Sequence, residues 1–443
     1  MLRLASLALA AASAVTAHAG HGDAPPEAWT AKYGSSMDLS FSGISTFARL
    51  PHERCLDKPE TVFDIAVLGM PYDVTQRASG PPTDQRVIPT GRSVRTERDP
   101  ARVEADGKEP RLLDPMASFS SALDAAHETA PDEDGPPSRN FNPFLAGASI
   151  IDCGDVPISP YDNSLALDQM ETAYSTLLAR EVDTAFTREH GGTKAFALDG
   201  KEHPKIVTLG GDHTIVLPIL RSLAKVYGPV AVLHFDAHLD TWNGALYNGA
   251  LTPQSQITHG SMFWKASTEG LVSNTSSIHA GIRTRLSEFE DLTHDSDVGF
   301  KLLTTDDIDE LKPSGIIEKI KERVGETPVY LSLDIDVVDP SMAPATGTPE
   351  SGGWTTRELK AILRGLSSLN LVGLDIVEVS PAYDTNAELT GMAAADLVQE
   401  FLGMLLKGKG PQGKETWSPA IKQMVLHDER EGAEQAKTAH DEL

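Results

Sequence analysis

Acidic and histidine side chains follow three continuous apolar runs, and this arrangement constrains the fold of the chain more than any other feature. The runs PKIVTLG (204–210), VAVLHF (230–235) and PVYLSL (328–333) are typical of buried strands. Directly after them come Asp212 and His213, then Asp236, His238 and Asp240, and finally Asp334, Asp336 and Asp339. Side chains alternate faces along an extended chain, so Asp236, His238 and Asp240 share one face. Buried carboxylates at this density need cations between them.

Alternation of strands and helices along the chain predicts one large α/β domain. The predicted strands are 62–68, 149–152, 205–209, 230–235, 277–282, 299–303, 328–333 and 371–377, and the helices are about 164–186, 214–227, 314–323, 355–368 and 391–406. Apolar strands of this kind belong to a sheet that helices cover on both faces. We therefore expect a three-layer sandwich with an eight-stranded, mainly parallel sheet, no transmembrane helix and a ligand site at the carboxyl ends of the strands.

The side chains at these strand ends indicate which metal they would bind. The candidate ligands are His213, Asp236, His238, Asp240, Asp334 and Asp336. Two imidazoles and four carboxylates are too many for one tetrahedral zinc ion, but they suit two adjacent divalent ions that share carboxylates. Oxygen-rich ligation favours Mn, Mg or Ca, whereas imidazole disfavours Mg and Ca. The sequence predicts two Mn²⁺ per subunit, although any one of these motifs alone could be a surface turn.

At these residues the chain resembles the ureohydrolase family, which comprises arginases, agmatinases and related guanidino hydrolases. The resemblance covers residues 41–73 and 141–406 and favours a fungal-like agmatinase branch. It extends to FSGISTFARLP (41–51), DIAVLGMPYD (64–73), IIDCGDVPISPYDN (150–163), ITHGSMFW (257–264), AGIRTR (280–285), GTPESGGWTTREL (347–359) and GLDIVEVSPAYD (373–384). It implies an arginase-like fold, a single catalytic domain and a homo-oligomer.

The resemblance also implies a role for each residue of the site. Asp236 and Asp334 would bridge both ions, His213 and Asp240 would complete one, and His238 and Asp336 the other. A hydroxide that bridges the ions would attack the guanidinium carbon. Glu378 would grip the guanidinium, His259 would pass a proton to the leaving amine, and Asp240 would accept a hydrogen bond from the nucleophile. The alternatives are a strand-end salt bridge for Glu378 and a bystander for His259, while Asp212 is either a helix cap or a residue that orients a ligand.

The residues of these motifs resemble those of agmatinases more than those of arginases. They favour agmatine, a small cationic guanidino substrate that would yield putrescine and urea. Arginine and guanidinobutyrate stay open as substrates. A hypothesis of another class is a lumenal pseudoenzyme or scaffold protein built on the same fold. With 64 acidic against 38 basic residues, the formal net charge of −26 argues against a nucleic-acid partner and against insertion into an anionic membrane.

Four regions are expected along the chain, and two of them carry targeting signals. Residues 1–19 resemble a secretory signal peptide, 20–61 form an N-terminal extension, 62–406 form the catalytic domain, and 407–443 form a polar tail. The tail ends in HDEL, which the endoplasmic-reticulum retrieval receptor would bind, so we expect a lumenal protein. A short membrane anchor and a coincidental acidic tail are the alternatives. The sequon at Asn274 would be available for glycosylation in that compartment.

One internal segment has an atypical composition, and the chain has only two cysteines. Residues 74–139 are rich in Pro, Arg and Glu and depart from the family pattern, which indicates a disordered insertion or a gene-model error. Cys55 precedes the first predicted strand and Cys153 follows the second. These are opposite ends of neighbouring parallel strands, too far apart for a disulfide, so two unpaired thiols are expected.

Overall fold

Eight parallel strands form one sheet in the computed structural model, which describes residues 46–73, 143–286 and 289–406. In chain order, β1 to β8 are Ile65–Met70, Ile150–Asp155, Lys205–Gly210, Ala231–Phe235, Ser277–Ile282, Phe300–Thr304, Val329–Asp334 and Leu371–Val377. Their order across the sheet is β2-β1-β3-β8-β7-β4-β5-β6. Every pair is parallel. All eight predicted strands are confirmed to within a few residues.

Several predictions concern residues outside the ranges that the structure describes. Residues 1–45, which include the predicted signal peptide and most of the N-terminal extension, lie outside the described residues. The divergent segment 74–139 and the tail 407–443 also lie outside them. The signal peptide, the insertion and the retrieval signal therefore stay predictions.

Eight α-helices flank the sheet within the described residues. In chain order, α1 to α8 are Asn163–Leu178, Ala185–His190, Val216–Tyr227, Met262–Thr268, Glu290–Val298, Asp307–Val324, Thr356–Gly365 and Leu389–Leu406. Side-chain caps explain several helix starts: Asp162 accepts two backbone N–H bonds at the start of α1, and Thr355 and Glu358 form a capping box at α7. The helix predicted at 164–186 ends at Leu178, and α2, α4 and α5 were not predicted.

The two faces of the sheet bury separate hydrophobic cores, as the three-layer prediction requires. One core joins strand residues such as Leu331 and Leu374 to α6, α7 and α8. The other joins Val232 and Tyr330 to α1, α3 and α4. Helix α8 has the length and apolar composition of a membrane span, but Phe401 and its neighbours lie in the first core. Burial against the sheet accounts for that composition, because helices that are covered on most sides are apolar all round.

The prediction of two unpaired thiols is wrong, because Cys55 and Cys153 form a disulfide with a Cα separation of 5.2 Å. The chain before β1 does not stay at the amino end of that strand. It runs beside the outer edge of β2, where Asp152 donates its N–H to Pro51 O at 2.9 Å and accepts that of Glu53 at 3.0 Å. This pairing carries Cys55 to the level of Cys153, which lies within β2 rather than after it.

Candidate active site

The carboxyl ends of three central strands bring the six predicted ligands together. Asp236 follows β4 directly, Asp334 is the last residue of β7, and His213 lies in a 3₁₀ turn after β3. The five residues that are almost fully buried are His213, Asp236, Asp240, Asp334 and Asp336. His238 is the sixth and is half-buried. A parallel sheet places these ends at one edge, so residues far apart in sequence meet there.

The six side chains form two clusters that share Asp236. In the first, His213 Nδ1 lies 3.0 Å from Asp240 Oδ2, 3.3 Å from Asp236 Oδ2 and 3.4 Å from Asp334 Oδ2. In the second, His238 Nδ1 lies 2.9 Å from Asp336 Oδ2 and 3.3 Å from Asp236 Oδ1. Asp236 thus contributes one oxygen to each cluster, as its predicted bridging role requires.

Unlike Asp236, Asp334 directs only one of its carboxylate oxygens at a ligand cluster. Its Oδ2 faces His213, whereas its Oδ1 accepts the Asp336 N–H at 2.8 Å. The bridging role of Asp334 therefore stays a prediction.

Buried atoms in the two clusters have the pattern expected of metal ligands. His213 Nδ1, Asp236 Oδ2 and Asp336 Oδ2 are buried and have no protein hydrogen bond with adequate geometry. Buried polar atoms are nearly always hydrogen-bonded, so three such atoms in one place need another partner. The ligand atoms of His213, Asp236 and Asp240 lie within 4.8 Å of one another, and so do those of Asp236, His238 and Asp336. The donor set fits a pair of divalent cations.

The pKa values of the clustered side chains are shifted in the directions expected for closely spaced buried carboxylates that lack a cation. Burial, together with the neighbouring Asp236, raises the pKa of Asp336 to about 6. Burial and the charges of Asp336 and Asp236 raise the pKa of Asp334 well above its usual range. Burial disfavours the imidazolium form of His238, yet Asp236 and Asp336 together raise its pKa to about 12. Carboxylates this close hold protons or cations among them.

Glu378 lies beside the first cluster, immediately after β8. Its Oε1 accepts the His213 N–H at 2.7 Å, and its own N–H bonds to Gly211 O at 2.9 Å. Burial, followed by the charges of Asp334 and Asp212, raises its pKa well above the usual range. A guanidinium cation placed there would favour the carboxylate form.

Backbone geometry around Glu378 is tightly constrained. A Cβ on Gly211 would lie 1.8 Å from Tyr72 O, so only glycine fits between the ends of β1 and β8. Glu378 and Asp240 have φ angles of 65° and 55°. Non-glycine residues in the left-handed region cost free energy and cluster at functional sites.

His259 lies in the loop before α4, and this loop is fastened to the segment that carries Asp240. Trp242 N donates to Gly260 O at 3.1 Å, and Phe263 N donates to Asp240 O at 3.3 Å. His259 is half-buried. The structure thus brings its loop to the site, and its role as a proton carrier stays a prediction.

Two acidic residues of the three original segments have local structural roles. Asp212 caps the 3₁₀ turn by accepting the Thr214 N–H at 2.9 Å, which is the helix-cap alternative considered for it. Asp339 Oδ2 accepts the N–H groups of Gly352 and Gly353 at 2.9 and 3.0 Å and so organises that loop.

Sequence reasoning missed His234, whose ligand atom falls within the first cluster. The signal was present in the run HFDAHLD, because the period of two that groups Asp236, His238 and Asp240 also includes His234. His234 Nε2 lies 2.9 Å from Asp236 Oδ2.

Fold and site together define an α/β protein with a two-cluster His/Asp site at the carboxyl ends of a parallel sheet. The model of the arginase family matches residues 123–403, and the chain belongs to this family. Its enzymatic class, an arginase-family ureohydrolase, follows from this membership and from the relatives below.

The relatives include agmatinases and an amidino hydrolase. "Putative agmatinase 1" of Schizosaccharomyces pombe is 45% identical over 375 residues, which cover 84% of this chain and 85% of that protein. The agmatinase of Photorhabdus laumondii is 40% identical over 253 residues, which cover 57% and 69%. Among solved structures, proclavaminate amidino hydrolase from Streptomyces clavuligerus is similar with a TM-score of 0.60 and 29% identity, covering 83% of this chain and 99% of that one.

Proposed function

We propose that this protein hydrolyses agmatine to putrescine and urea with two Mn²⁺ per subunit. The observation that carries the proposal is the pair of buried ligand clusters that share Asp236. A carboxylate with one oxygen in each cluster places two cations side by side, which is the arrangement that guanidino hydrolysis needs. The agmatinase names of the relatives support the choice of substrate.

Each side chain near the clusters has a task in this reaction. The bound ions would lower the pKa of water and so supply hydroxide at neutral pH. Glu378, fixed by the His213 N–H, would orient the planar guanidinium through paired hydrogen bonds. Asp240 would accept a hydrogen bond from the nucleophile, and His259 would deliver a proton to the leaving amine.

Charge favours agmatine over arginine. Two Mn²⁺ ions would balance the charges of Asp236, Asp240, Asp334 and Asp336, which leaves Glu378 as the buried carboxylate available to the substrate cation. Agmatine brings two positive charges, whereas arginine adds an α-carboxylate that needs its own donors.

Metal content and urea release test the proposal on the same protein. We expect close to two Mn²⁺ per subunit after loading and dialysis, urea release from agmatine, and loss of both in Asp236→Ala. The matched control is Asp183→Ala, which removes an exposed aspartate that pairs with Arg188 at the surface. One ion per subunit, tight zinc alone, or full activity in Asp236→Ala would contradict the proposal. Two ions without turnover of any guanidino compound would favour the pseudoenzyme.

We further propose that the protein resides in the lumen of the endoplasmic reticulum and forms a homo-oligomer. The Cys55–Cys153 disulfide supports a lumenal location, because such bonds persist in oxidising compartments. Asn274 is exposed on the loop before β5, where a glycan can be attached. Endoglycosidase treatment should shift the electrophoretic mobility of the wild type but not of Asn274→Gln. An unshifted wild type and reduced cysteines in cells would contradict a lumenal location.

A further inference from the structure

A row of polar side chains crosses the sheet one layer below the metal-ligand positions. The row is built from register partners on five neighbouring strands, namely Thr208, Asp375, Ser332, His234 and His279. All five side chains are fully buried. On β4 and β7 the row lies two residues before Asp236 and Asp334, so both layers share a face of the sheet. Buried polar groups are costly, so a continuous row needs a function.

One arm of the row ends on His213. His213 Nε2 lies 2.8 Å from Ser332 Oγ, which donates to Asp375 Oδ1 at 3.0 Å. Tyr330 donates its hydroxyl to the other oxygen of Asp375. Because Asp375 receives both hydroxyl hydrogens, Ser332 accepts the hydrogen of His213 Nε2. The Nδ1 lone pair of His213 then points at the carboxylates, so this arm fixes a ligand of one cluster.

The second arm ends on Asp236 and passes through two histidines. His234 Nδ1 lies 2.7 Å from His279 Nδ1, and His279 Nε2 lies 3.0 Å from Asp295 Oδ1. Thr241 donates to the same oxygen of Asp295 at 2.7 Å. The ring of His279 is also stacked on Phe300, with centroids 4.0 Å apart. His279 is therefore held from both its face and its edge.

His234 connects His279 to the site, because it contacts both His279 and Asp236. Its Nε2 lies 2.9 Å from Asp236 Oδ2, but outside hydrogen-bond geometry. The hydrogen bond to His279 holds the His234 ring with its Nε2 beside Asp236 Oδ2. The ring edge of His234 in turn limits where the Asp236 carboxylate can lie.

We propose that His279 and Asp295 are positioning residues for Asp236, acting through His234. The inference rests on the proposed two-metal function. Asp236 is the residue with one oxygen in each cluster. Loss of this arm should therefore weaken the binding of both ions, whereas loss of the Ser332 arm should weaken mainly the ion held by His213.

The test measures Mn²⁺ affinity in Asp295→Asn, His279→Gln and Ser332→Ala by calorimetry. Residues that orient metal ligands typically change metal affinity about 10- to 100-fold. We expect a loss of this size at both sites in Asp295→Asn and His279→Gln, and at one site in Ser332→Ala. Manganese EPR gives an independent readout, because displacement of the shared carboxylate should weaken the magnetic coupling between the two ions.

Matched controls come from a second histidine–aspartate pair, which lies at the opposite end of the sheet from the clusters. His203 Nε2 lies 3.1 Å from Asp199 Oδ1, and His203 lies just before β3, at its amino end. His203→Gln and Asp199→Asn remove a similar contact with no link to the clusters. Both should keep wild-type Mn²⁺ affinities at the two sites.

Folding and positioning are separated by measuring unfolding free energy in the presence of a chelator. Asp295→Asn preserves the size of the side chain, so it provides the result if His279→Gln does not fold. Wild-type affinities in Asp295→Asn, or a loss confined to one ion, would overturn the inference while leaving the proposed function intact. A wild-type chain that binds no pair of ions would overturn the proposed function and the inference together.

Discussion

Removal of the disulfide should lower stability without changing the active site. In the variant Cys55→Ala/Cys153→Ala, the segment before β1 loses its covalent link to β2. The bond joins residues 98 positions apart. In the chain-entropy description, a loop of about 100 residues stabilises the folded state by about 4.7 kcal/mol, and measured losses are commonly 2–5 kcal/mol. We expect a decrease in unfolding free energy of about 3–5 kcal/mol.

Other contacts should keep the variant folded. Arg180 donates to Thr61 O at 2.9 Å and also to Cys55 O, and the ring of Phe63 lies 5.2 Å from the Arg180 guanidinium carbon. Cys153 lies on the outermost strand β2, which β1 separates from the ligand-bearing end of β3. Mn²⁺ stoichiometry and kcat per folded molecule should therefore be unchanged.

Equilibrium urea unfolding of metal-loaded wild type and variant, followed by tryptophan fluorescence and far-UV circular dichroism, measures the difference. Wild type reduced with a thiol serves as the second reference and should behave as the variant does. Unchanged unfolding free energy would refute the expected contribution of the bond. Loss of Mn²⁺ from a folded variant would refute the separation between this edge and the site.

Three further predictions concern the substrate, the metal and the location. Glu378→Gln should keep both Mn²⁺ ions but lower kcat/KM for agmatine about 10- to 100-fold, because a charge-assisted hydrogen bond becomes a neutral one; loss of the metal would contradict its role. Mn²⁺ loading at pH 7 should release the proton of His238, whose pKa is about 12, and affinity should rise as pH increases, first through about 6 as Asp336 loses its proton and then further towards the pKa of His238; calorimetric enthalpies that do not depend on the buffer would contradict this. Deletion of residues 440–443 should send the chain out of the cell with unchanged specific activity, and equal retention of both forms would contradict the retrieval signal.

The sequence predicted the sheet and the meeting of the six candidate ligands because both depend on local patterns. Apolar runs marked all eight strands, and the period of two placed Asp236 and His238 on one face. The all-parallel sheet then brought His213 to them, as the rule for strand ends anticipates.

What the sequence did not predict depends on pairing between distant segments. The disulfide forms because residues beside His52 pair with Asp152, and no local signal indicates that the chain runs along this edge. Helix α5 is polar and lacks a regular apolar face, yet its Asp295 is the hydrogen-bond partner of His279 in the buried row. His279 gains its partner His234 only through the register of β4 and β5.

The substrate preference of the manganese-loaded protein tests the central claim most directly. We would measure kcat/KM for agmatine, arginine and guanidinobutyrate on one sample by urea release. An unpaired carboxylate costs several kcal/mol to bury, so agmatine should exceed arginine by about two decades or more. Arginine turned over as well as agmatine would contradict the account of the pocket, and turnover of none of the three would contradict the assignment as an active agmatine hydrolase.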